Sequence, residues 1–161
     1  MSRFRRHFAL MILALATLAG ALSACAQSPT SEALEGPLKD AASAVRTTSL
    51  AVDLRIKEHT TAAAGTTTAD DMVKQLESAT DQVKAFTGST PDEQKLRDDV
   101  LGTLSTVSRA MLHARDALTA PTGGPEEGQS GSAQNSLVPV LDELHNASNQ
   151  LDALMTKAGI Q

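Results

Sequence analysis

Apolar residues recur at intervals of three, four or seven along four separate stretches of this chain, and nothing in it reads as a strand. Spacing near 3.6 gathers side chains onto one helical face, whereas a half-buried strand needs every second residue apolar. The first stretch runs from Glu32 to about His59 and carries Leu34, Leu38, Ala41, Val45, Val52 and Ile56. Leu50 and Leu54 lie off that stripe and are expected to widen the apolar face toward two neighbours. The second stretch carries Met72, Leu76, Ala79, Val83 and Phe86; the third, Leu96, Val100, Leu104, Val107, Met111, Ala114 and Leu118. The fourth (Leu137, Leu141, Leu144, Ser148, Leu151, Met155, Ala158) is nearly a clean heptad seam. Four amphipathic helices imply an all-α fold, an up-down-up-down four-helix bundle over residues 32–161. The competing arrangement is a three-helix core with the short second helix loosely attached.

Helix boundaries follow from caps and breakers. Gly36-Pro37 suits a helix start at Pro37, because proline is tolerated in a first turn. Thr60 to Thr68 reads as a breaker around Gly65, with Thr68 capping the second helix and Asp70 and Asp71 near its positive end. Gly88 is expected as the residue just past that helix. Thr90-Pro91-Asp92-Glu93 carries the elements of a capping box with proline at the first helical position. Gly102 inside the third helix costs about 1 kcal/mol relative to alanine, a cost that close helix contact would offset. Pro121 stops that helix, and residues 121–135 are polar, rich in Gly, Ser and Pro, and read as a flexible loop. Ser136 is placed to cap the last helix, with Pro139 in its first turn and Gly159 at its end. Glu35–Lys39, Asp53–Lys57 and Asp70–Lys74 set an acid four residues before a base, the favourable order on a helix face.

The N-terminus has a different character. Arg3, Arg5 and Arg6 precede an apolar run from Phe8 to Leu22, and Leu22-Ser23-Ala24-Cys25 ends it with the only cysteine in the chain. A basic, then apolar, then small-residue layout is that of a secretory signal peptide. Its last four residues resemble a bacterial lipobox. That resemblance covers residues 1–25 and implies a diacylglyceryl group on the sulfur of Cys25, with cleavage between Ala24 and Cys25. It therefore implies an extracytoplasmic lipoprotein on a bacterial cell membrane: residues 1–24 removed, 25–31 a lipidated tether, and the bundle beyond. An uncleaved transmembrane anchor is the weaker reading, since 15 helical residues span about 22 Å against a hydrocarbon core of about 30 Å. A lipid also accounts for an otherwise odd free thiol in an exported chain.

Charge and composition then narrow the function. The chain holds 14 Lys and Arg against 19 Asp and Glu, and removing the three arginines of the leader leaves 11 − 19 = −8. An acidic domain is repelled by nucleic acid phosphates and anionic headgroups, so nucleic acid is excluded as a partner and the domain stands off the bilayer. Phe86 is the one aromatic residue after residue 24, so no stacking platform for bases or sugars can be built. The core must be aliphatic. With Cys25 lipidated, no internal disulfide is possible.

Catalytic motifs are missing: there is no Gly-x-Ser-x-Gly elbow, phosphate loop, dinucleotide fingerprint or paired metal-ligand cysteines. An enzyme is not expected, and no cofactor is called for. The one constellation with possible chemistry is His113-x-x-Asp116 on the third helix and Asp142-x-x-His145 on the fourth. In antiparallel neighbours these pairs fall at about the same depth, as in bundles that bind metals with inward carboxylates and histidines. All four residues flank the apolar stripes without interrupting them, which favours solvated faces or inter-helix ion pairs. Two functions follow as expectations. One is a non-catalytic interaction module for an envelope protein; the other is a ligand- or metal-binding bundle using His113, Asp116, Asp142 and His145.

Overall fold

The computed structural model describes residues 29–120 and 130–160, and among them it is all-α. Its four helices are α1 Pro29–Ile56, α2 Ala62–Ala85, α3 Pro91–Thr119 and α4 Ser130–Lys157. Short turns join α1 to α2 and α2 to α3, so each helix doubles back along its predecessor. Each packs on the next, α4 closes against α1, and α1 also meets α3 across the diagonal. This is the up-down-up-down four-helix bundle. α2 is packed between α1 and α3, which disposes of the three-helix alternative.

The interior is aliphatic. Leu34, Leu38, Val45, Leu76, Leu104, Met111, Leu144 and Leu151 are all 0 to 1 % exposed, and Phe86 only partly covers one end. Burying each such side chain contributes about 1.5–3 kcal/mol, so the stripes are what hold the bundle together. On α4 the buried line is Leu137, Val140, Leu144, Ala147, Leu151 and Leu154, while the seam residues Leu141, Ser148 and Met155 are half-buried beside it. The core therefore sits one flank round from the predicted seam. Leu50 does not widen the buried face of α1: it is 56 % exposed, and Leu54 is half-buried.

Several ends differ from the expected boundaries. α2 starts at Ala62, seven residues before the one that a Thr68 cap implies, because Thr61 is extended and its side chain accepts from the Ala64 amide at 3.2 Å. Thr67 and Thr68 bond back to the carbonyls of Ala63 and Ala64, and Gly65 is buried against Leu118, so the threonine run is held as helix by its own hydroxyls and by packing. Asp70 does not pair with Lys74; Lys74 reaches Asp71 at 3.2 Å, one residue nearer. α1 begins at Pro29 and α4 at Ser130, with Pro37 and Pro139 inside them rather than in a first turn. Leu34 and Leu137, both buried, lie in the turns preceding the two prolines, and tertiary burial keeps those turns helical despite a missing amide donor. As a result the expected 121–135 loop gives up residues 130–135 to α4, and the tether gives up 29–31 to α1. Residues 121–129 lie outside the described residues.

The third helix starts as predicted. Thr90 accepts from the Glu93 amide at 3.2 Å, and Glu93 accepts from the Thr90 amide at 2.9 Å, completing the capping box. Gly88, however, is not the left-handed cap expected of it: α2 ends at Ala85, and the Phe86 amide bonds to the Gln82 and Val83 carbonyls. Among the described glycines the left-handed one is Gly159, which closes α4 with Gly159 N–H to Thr156 and Ile160 N–H to Met155. The same Schellman pattern closes α1, with Glu58 N–H to Arg55 and His59 N–H to Leu54, but there a glutamate takes the left-handed position at φ 58°.

Candidate functional surfaces

The lipobox-like segment, Cys25 included, lies outside the described residues, so the surfaces that can be built from geometry are those of the bundle. Its ends are set by the chain: α1 enters at Pro29, beside the α2–α3 turn around Ser89 and the close of α4 at Ile160. The opposite end carries the Lys57–Thr61 turn, the end of α3 and the start of α4.

The four metal candidates do not converge. His113 Nδ1 lies 2.7 Å from Glu143 Oε2, an exposed α3–α4 contact with a residue that sequence reasoning passed over. Asp116 turns instead to its neighbour Arg115, whose guanidinium donates to it at 2.7 and 3.0 Å and stands 3.9 Å from Asp70 on α2. The hydrogen bond that Arg115 donates to Asp116, with the charges of Asp116 and Asp70, raises the Arg115 pKa above its ordinary value. Asp142 edges a small groove between α3 and α4 with Arg109, Glu143 and Asn146. His145 follows Glu143 by two residues, about 200° round the helix, and so faces away from His113. Among the described residues no group of three or more His, Cys, Asp or Glu could hold a metal ion.

Elsewhere the helices are laced by exposed pairs. Arg46 on α1 reaches Asp152 on α4 at 2.9 Å, and Lys157 on α4 reaches Asp99 on α3 at the same distance. The hydrogen bond and charge of Lys157 hold the Asp99 carboxyl below its ordinary pKa, with Lys95 adding to the effect. Pairs this exposed are screened by solvent and contribute little to stability.

None of the described Asp, Glu, Lys, Arg or His residues is buried; the buried polar side chains are Thr48 and Ser49. Their hydroxyls each donate to a carbonyl one turn back, Ala44 and Val45, at 2.9 Å. The partner each hydroxyl donates to is thus a backbone carbonyl of its own helix, not a general base. What remains are open grooves along the helix seams. The α2–α3 groove is floored by Leu76, Leu104 and Leu112 and edged by Glu77 and Arg109, and the α1–α4 groove holds Ala42, Met155 and Ile160 beside the Arg46–Asp152 pair. Among the described residues no helix is long and apolar enough to cross a membrane. Set against protein-family models, curated proteins and solved structures, the chain matches none of them.

Proposed function

We propose that the protein is a lipid-anchored extracytoplasmic module of a bacterial envelope, held to the membrane by acyl chains on Cys25 and acting without catalysis, through contacts between its helical bundle and another envelope protein. The observation that carries this reading is the run from Arg3 to Cys25, in which a basic segment, an apolar segment and two small residues lead into the single cysteine. The bundle supports it in two ways. Its helix begins four residues after Cys25, a stretch of at most about 14 Å, so the domain is kept close to the bilayer. None of its described ionisable side chains is buried, and such groups serve recognition and solubility better than acid–base chemistry, which relies on burial to shift pKa values.

The test is Cys25→Ser followed by membrane fractionation. A diacyl anchor holds a protein stably where one chain is marginal, each buried CH₂ contributing about 0.8 kcal/mol. The variant is expected in the soluble fraction with unchanged helicity, while the wild type stays with the membrane and takes up labelled fatty acid. A variant that remains fully membrane-bound would mean that the apolar run is an uncleaved anchor or that a partner alone retains the bundle. Crosslinking the lipidated protein in its own membranes then addresses the partner: recovery of no envelope protein at all sinks the interaction reading.

A further inference from the structure

We draw no further inference here: the strongest candidate, the open groove between α2 and α3 floored by Leu76, Leu104 and Leu112 and edged by Glu77 and Arg109, carries nothing because nothing in the structure shows what covers it.

Discussion

Gly102 and Gly88 are two glycines with opposite effects. Gly102 lies exposed in the interior of α3, and a Cβ built on it meets no atom within 4 Å. The close helix contact expected there does not exist, so the residue costs its backbone entropy without a packing return. Gly102→Ala is expected to stabilise the bundle by about 1 kcal/mol, read as a raised urea midpoint at unchanged slope. Gly88 lies under the first turn of α3, where a Cβ would come within 2.8 Å of the Gln94 nitrogen and 2.9 Å of the Glu93 carbonyl carbon. Both are backbone atoms and cannot rotate away. Gly88→Ala must therefore shift the Thr90–Glu93 cap, at a loss of about 0.5–2 kcal/mol, the range for a lost N-cap. An alanine there that left the midpoint unchanged would show that the turn yields freely. Glu58 makes the third case, since its left-handed backbone is one that L-residues adopt at a cost and glycine adopts freely. Glu58→Gly is expected to raise stability by about 0.5–1 kcal/mol, and a fall in the midpoint would mean that the side chain contributes more than the strain removes.

Helices were legible in this sequence because burial is periodic; their ends were legible only where the cap is written in side chains. Thr90 to Glu93 spells out a capping box, and α3 starts there. At α2 the competing signals were a threonine-rich segment and an early glycine, both ordinarily breakers, and packing of Gly65 on Leu118 overrode them. On α4 the periodic residues extend round both sides of the core, and spacing alone does not say which side is buried. The same ambiguity hid Glu143. It and His145 flank Leu144 on opposite sides, and nothing local says which of them faces α3. Prolines inside α1 and α4 mark where tertiary contact, not propensity, sustains a helix. Pro139 leaves the carbonyl one turn before it without its amide donor, and the preceding residues Ser130-Gly131-Ser132-Ala133-Gln134-Asn135 are mostly weak helix formers. Amide hydrogen exchange should therefore divide α4, with residues 130–136 exchanging well ahead of 144–154, which surround the buried Leu144, Leu151 and Leu154. Uniform protection along α4 would mean that the first turns are as stable as the core.

At the scale of the whole molecule, topology and tether together fix which end meets the bilayer under the proposed anchoring. α1 has 28 residues, so the bundle is about 42 Å long at 1.5 Å per residue. The chain from Cys25 enters at the end that carries Ser89 and Ile160, and His59 belongs to the other end. A net charge of −8 after the leader is removed opposes lying flat on an anionic surface, while screening over about 8 Å at physiological salt leaves the far end unaffected. The bundle should then stand on its tethered end. Under the proposed lipidation the sulfur of Cys25 is occupied, so a single cysteine introduced at Ser89 or at His59, both exposed, can carry a fluorophore. In vesicles containing a headgroup quencher, the label at position 89 is expected to be strongly quenched and the label at position 59 to resemble one in solution. Added salt should change neither if the tether sets the orientation, but should increase quenching at position 59 if charge repulsion is what keeps the bundle upright. Equal quenching at both positions in low salt would show a bundle lying along the membrane.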